Sequence, residues 1–200
     1  MSERRILSAL SVFLVTALLM FQSACQRSYR DSSRALKSVS ELDLERYSGR
    51  WFEAARLPNR FQKDCIKSQA RYELRPNEEL GVVNQCLRED GSWKSVEGRA
   101  WLPDPLKPGQ LKLRFSRFPI SLFSSNYWVI YIDPDYQAAI VSEPRGRFLW
   151  ILTREENPDE LLIEDLVQMA ESKGFDVSPL IFTSEIRIYS KLKSPAFHRR

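Results

Sequence analysis

The sequence predicts an all-β domain, a sandwich or barrel of short strands followed by one helix. Three observations carry this. From Gly49 onward, turn clusters recur at short intervals, among them Arg75-Pro76-Asn77, Glu89-Asp90-Gly91, Lys107-Pro108-Gly109, Asp133-Pro134-Asp135 and Pro144-Arg145-Gly146. Segments between them alternate with period two: Leu111, Leu113 and Phe115 share one side, Lys112 and Arg114 the other. A single late stretch changes to helical spacing, with Leu162, Leu166, Met169 and Ala170 on one stripe.

The first element is an address. Arg4 and Arg5 precede an apolar run over 6–21, shorter than the roughly 20 residues a membrane helix needs, and the run ends in Ser23 and Ala24. That order reads as a secretory signal over residues 1–24. Cys25 follows directly, where a bacterial lipoprotein signal places the residue that receives lipid, although Gln22 stands where leucine is usual. The alternative is ordinary cleavage that leaves Cys25 a free thiol. Gln26 after the cysteine, with no Asp there, resembles the sorting pattern of an outer-membrane lipoprotein facing the periplasm. Residues 25–40 read as this anchor and a flexible tether, because 26–40 are rich in Ser and Arg and lack apolar periodicity.

Strands are expected at 50–56, 66–75, 81–88, 92–102, 110–118, 127–133, 138–143 and 148–154. The helix begins with Asn157 as cap, Pro158 in the first turn and Asp159 and Glu160 at its positive end, and Gly174 stops it. Its stripe is read as packing on the strands. A last strand is expected at 177–183. The domain thus covers 41–186, and 187–200 form a basic tail expected to be disordered.

Composition narrows function. The 200 residues are 43% hydrophobic and 12% aromatic, too apolar for a disordered chain. Thirty basic and 26 acidic residues are interspersed, which excludes a dense nucleic-acid-binding stripe. The one histidine, His198, is third from the end, so histidine-dependent triads, zinc sites and haem ligation would all need a tail residue. Three cysteines cannot build a thiolate cage. Neither a cofactor nor a metal is expected. With Cys25 set aside, Cys65 and Cys86 remain as an even pair in an oxidising compartment. A bridge between them would close a loop of about 20 residues, worth roughly 3 kcal/mol; the alternative is two buried thiols.

Three motifs then carry a family resemblance. Tyr47-Ser48-Gly49-Arg50-Trp51-Phe52-Glu53 resembles the Gly-x-Trp signature of the lipocalins. Asp133-Pro134-Asp135-Tyr136 resembles their second motif as bacterial members write it, and Trp150-Ile151-Leu152-Thr153-Arg154 the third. The chain therefore resembles the lipocalins, in particular bacterial outer-membrane members and apolipoprotein D. The resemblance implies an eight-stranded antiparallel up-and-down barrel with the helix packed outside. It also implies that Arg154 closes the barrel floor by stacking over Trp51, a structural role.

The same resemblance places Tyr72, Arg88, Phe115 and Trp128 at ligand-facing positions. Alternation agrees in part, since Leu113 and Phe115 share a face, as would Trp128, Ile130 and Ile132. An apolar tube with a cation near its mouth suits a fatty acid such as palmitate, or a lysophospholipid, with Arg88 on the head group and Tyr72 as second donor. The bland readings are a surface charge for Arg88 beside Glu89-Asp90, and plain core packing for Phe115 and Trp128. Three functions compete: a membrane-anchored lipid carrier at the outer membrane, an envelope interaction lipoprotein with a filled barrel, and a thiol-dependent isomerase. The first is preferred, with no catalytic residue, no nucleic-acid partner and a homodimer left open.

Overall fold

The computed structural model describes residues 28–117 and 122–183. The signal segment, Cys25 and the tail 187–200 lie outside the described residues. A short helix, α1 (Leu44–Tyr47), leads into eight strands: β1 (Gly49–Arg56), β2 (Cys65–Leu74), β3 (Leu80–Arg88), β4 (Trp93–Trp101), β5 (Gln110–Phe115), β6 (Ser125–Ile132), β7 (Ala138–Ser142) and β8 (Leu149–Thr153). Each pairs antiparallel with the next, and β8 pairs back onto β1, which also pairs with β2. The sheet is therefore closed, and all eight barrel strands have two neighbours. The expected strands and the up-and-down order are both present.

Closure creates two apolar cores. The inner one contains Tyr47, Trp51, Ala70, Tyr72, Leu111, Val129 and Leu152; the outer one contains Ala55, Ile140, Ile151, Ile163, Leu166 and Ala170. This second core is why β7 is buried at every position while β2 alternates. A strand covered on both faces needs apolar residues throughout.

The cover is the helix α2 (Glu160–Ser172), which buries Ile163, Leu166, Val167 and Ala170. Leu162 and Met169 sit at the edge of the same core. Its cap is Asp159, not Asn157: the Asp159 carboxylate accepts from the Leu161 N–H at 2.7 Å. The last strand is shorter than expected. Only β9 (Ile181–Phe182) pairs, against Ala55 and Arg56 on the outside of β1.

Residues 28–40, expected to be a flexible tether, are bonded to the barrel. Tyr29 N donates to Gly146 O at 3.0 Å, Arg30 Nε to Lys173 O at 2.9 Å, and Val39 N to Val129 O at 2.9 Å. Leu36 is buried in the outer core. The polar composition concealed this because the segment is held by backbone hydrogen bonds and one apolar anchor, neither of which leaves a periodic pattern.

Candidate functional site

The floor of the barrel is sealed around Trp51, which is fully buried. Its indole N–H donates to Tyr47 O at 2.8 Å, and the Arg154 guanidinium lies 3.9 Å from its ring centroid. Arg154 also donates to the carbonyls of Arg50, Arg46 and Tyr136 at 2.8, 2.6 and 3.1 Å. One planar fork thus ties α1, β1 and the β6–β7 turn together. Gly49 makes room: it adopts a φ of +98°, and a Cβ there would stand 3.1 Å from Arg154 Nη1. The turn is organised by Asp133, whose carboxylate accepts from the N–H groups of Gln137 and, at 2.6 Å, Ala138.

Above the floor stand three buried tyrosines. The Tyr127 hydroxyl bonds those of Tyr47 at 2.7 Å and Tyr72 at 2.9 Å. Burial pushes all three phenols up, Tyr72 to about 12. Ala70, Val82, Ala100, Val129, Val141 and Leu152 continue this inner core. Phe115 pairs with Gly98, whose Cα approaches so closely that an added Cβ would lie 3.1 Å from the Phe115 ring.

The upper wall is different. Glu53 and Arg56 are buried and joined at 2.7 Å. Gln62 donates to the Glu53 carboxylate and to Ser68 Oγ, and its side-chain carbonyl accepts from Trp150 Nε1 at 2.8 Å. Arg56 further donates to the carbonyls of Gln62 and Cys65. Burial raises the Glu53 carboxyl above its ordinary value, against the opposing pull of Arg56. Among the described residues three buried side-chain atoms have no protein partner, Arg56 Nε, Asn84 Oδ1 and Arg114 Nε, of which the first two belong to this wall. Buried polar groups are normally satisfied, so both mark places for a ligand atom or water. The Cys65–Cys86 disulfide is formed, with Cα atoms 5.4 Å apart, and staples β2 to β3 near this end.

The lipocalin-like domain profile matches residues 42–185. The chain is 37% identical over 153 residues to temperature-induced lipocalin-1 of Arabidopsis thaliana, covering 74% of this chain and 81% of that protein. It is 33% identical to the outer membrane lipoprotein Blc of Escherichia coli K12, covering 76% and 84%. In structure it resembles insecticyanin from the tobacco hornworm Manduca sexta, with a TM-score of 0.60 at 22% identity, over 74% of this chain and 84% of that one.

The chain is a lipocalin. That membership makes it a binding protein for a small hydrophobic ligand and not an enzyme.

Within the lipocalin barrel the four residues expected at the ligand do not gather. Tyr72 faces inward at the floor, where Tyr127 occupies its hydroxyl. Arg88 lies six residues beyond Val82, the partner of Tyr72, so about 20 Å separates their levels along the strands. The two cannot hold one head group, and the pairing of Arg88 with Tyr72 is corrected. Arg88 instead marks the rim, where it pairs with Cys65 and its N–H donates to Ser92 O. Phe115 lies in register with Gly98, one step above the Ala100–Leu113 pair of the inner wall. Trp128 is a correction: it pairs with Gln110 and Ser142 and packs against the outer core. The supposed face of Trp128, Ile130 and Ile132 fails because a bulge between Val129 and Tyr131 shifts the register.

Glu53 and the inward-facing Trp150 stand in the sequence only as motif members, and Arg56, Gln62 and Asn84 carry no motif, so none of the five was expected at the site. A signal existed for Glu53 and Arg56. A carboxylate and a guanidinium three residues apart inside Trp51-Phe52-Glu53-Ala54-Ala55-Arg56 interrupt an otherwise apolar strand.

Proposed function

We propose that this lipocalin carries a fatty acid or lysophospholipid with its chain toward the apolar lower lumen and its head toward the mouth. The observation behind this is the division of the lumen. Apolar side chains line it from Tyr72 to Val141, while Glu53, Arg56, Gln62, Ser68 and Asn84 occupy the upper wall. Each buried methylene gains about 0.8 kcal/mol, and the polar end keeps a charged or hydrogen-bonded head solvated by protein. Arg88 at the rim supplies the cation, and Phe115 supplies apolar contact.

We further propose that Cys25 carries lipid and anchors the domain at the outer membrane, the setting named for the bacterial relative Blc. Several acyl chains on one residue suffice for stable anchoring. Cys25→Ser should release the protein from the membrane fraction; unchanged retention would end this part.

Fluorescent fatty-acid displacement tests the ligand. A charge-assisted hydrogen bond is worth about 1.5–3 kcal/mol, so Arg88→Ala should weaken a fatty acid about ten- to a hundredfold and spare its alcohol. Phe115→Ala should weaken both. Equal losses for acid and alcohol in Arg88→Ala would remove Arg88 from the site. No saturable binding of any acyl ligand to the delipidated wild type would favour an interaction lipoprotein instead.

A further inference from the structure

Among the described residues, the most exposed large apolar side chains at the mouth end of the barrel are Phe61 (56% exposed), Trp93 (50%), Leu122 (65%) and Phe123 (71%). They come from the β1–β2 connection, the first residue of β4 and the β5–β6 connection, all of which the up-and-down order brings to one end. The ring contact between Phe61 and Phe148 adds the β7–β8 connection to the same end. Exposed cations accompany these tips, Arg60, Arg117 and Arg145 among them, with Arg60 over the Phe61 ring at 5.2 Å. The acids at this end are Asp64, Glu89, Asp90 and the buried Glu143, the last already engaged by Arg147.

The floor is more acidic. Its connections carry Glu78, Asp104, Asp133, Asp135, Glu155 and Glu156 against the cations Arg46, Arg50, Arg75, Lys107 and Arg154, and its exposed Leu74, Leu106 and Leu161 stand beside acids.

The N-terminal strap decides which end meets a membrane. Residues 28–43 run down the outer wall from the mouth to the floor. Ser28 Oγ donates to Arg145 O at 2.7 Å, while Asp43 N donates to Tyr136 Oη at 2.8 Å. Ser28 therefore sits on a mouth-end loop, three residues after Cys25, and three extended residues reach only about 10 Å.

We propose that the barrel docks mouth-first on an anionic phospholipid surface, with the tips of Phe61, Trp93, Leu122 and Phe123 entering the interface. Aromatic and aliphatic tips flanked by cations suit the headgroup region. The short reach from Cys25 holds the open end against the leaflet, so a ligand passes between bilayer and lumen without crossing bulk water. The anchor part rests on the lipidation of Cys25; the docking surface does not.

The test uses the exported Cys25→Ser chain with vesicles of phosphatidylcholine, with or without phosphatidylglycerol. Cosedimentation should occur and should rise with phosphatidylglycerol. It should fall about tenfold or more when Phe61, Leu122 and Phe123 are all changed to Ser, because each removes interfacial apolar area. Leu106→Ser at the floor should leave it unchanged. Circular dichroism of each variant confirms folding, and a second measurement needs no loss of apolar residues. Brominated lipids should quench wild-type tryptophan fluorescence, and Trp93→Phe should remove most of that quenching. Equal vesicle binding by the triple variant, an equal loss in Leu106→Ser, or quenching that survives Trp93→Phe would overturn the proposal. Mass spectrometry of Cys25 in membrane-derived protein is read separately: an unmodified Cys25 would overturn the anchor reading and leave the vesicle result to decide docking.

Discussion

Gly146 and Arg30 are in contact so close that a Cβ on Gly146 would stand 2.3 Å from the Arg30 Cβ. Gly146 also holds a φ of +63°, a conformation that L side chains adopt at a cost. Both constraints come from the same event, the docking of the N-terminal strap on the β7–β8 connection. Gly146→Val should therefore detach the strap and destabilise the fold by about 1–3 kcal/mol. Limited trypsin digestion should then cut at Arg30 or Arg34 well before the barrel. Wild-type cleavage rates in the variant would contradict it.

The floor should respond to the shape of Arg154 as well as to its charge. Arg154→Ala removes three carbonyl contacts and the cation–π contact, with an expected loss of about 2–4 kcal/mol in urea unfolding. Arg154→Lys should recover only part of this, because an ammonium cannot reproduce the planar fork. Fatty-acid affinity of the folded fraction should change little, since the seal lies below the lumen.

Tyr127 is the hub of its trio. Tyr127→Phe strands two buried hydroxyls, whereas Tyr72→Phe leaves the Tyr47–Tyr127 bond intact. The first should cost about 2 kcal/mol more than a neutral change and exceed the second. All three phenols ionise less readily folded than unfolded, so the stability they give is complete below about pH 10 and declines as pH rises through their raised values. Absorbance titration of native protein should show three tyrosines silent until unfolding.

Glu53 gives a pH signature of its own. Its carboxyl is raised in the folded state, by burial first, so its contribution is complete below the ordinary carboxylate value and falls as pH rises through the elevated one. Glu53→Gln, which resembles the protonated form, should gain in stability relative to wild type across that window. Denaturant midpoints measured from about pH 4 to neutrality decide it; a constant difference, or one moving the other way, would refute the assignment.

Reduction or the double change Cys65→Ser with Cys86→Ser should cost roughly 3 kcal/mol, the chain-entropy value for a loop of this length. Ligand affinity should persist, because the bridge fastens β2 to β3 without offering a reactive thiol.

The run of short strands, the outer helix and the cysteine pair were legible in the residues themselves, while the up-and-down order and the floor contact between Trp51 and Arg154 came only from the resemblance that the three motifs carry. Each leaves a local mark: turn residues at intervals, a period of two or 3.6, an even cysteine pair, or a motif. Those marks exist because backbone geometry and φ preferences act over a few residues. What only the tertiary structure decided depends on register and on distant neighbours. Trp128 alternates with the inward Tyr127 and Val129 and so faces the outer wall, a single bulge after Val129 takes Ile132 to the other face, and strand length put Tyr72 and Arg88 at opposite ends of the lumen. The Glu53–Arg56–Gln62 cluster needs a loop folded back over β1 before its charges can meet. The strap over residues 28–40 reads as polar linker in one dimension. It becomes part of the wall because the β7–β8 connection presents Gly146 to it and β6 presents the carbonyl of Val129, both about a hundred residues away.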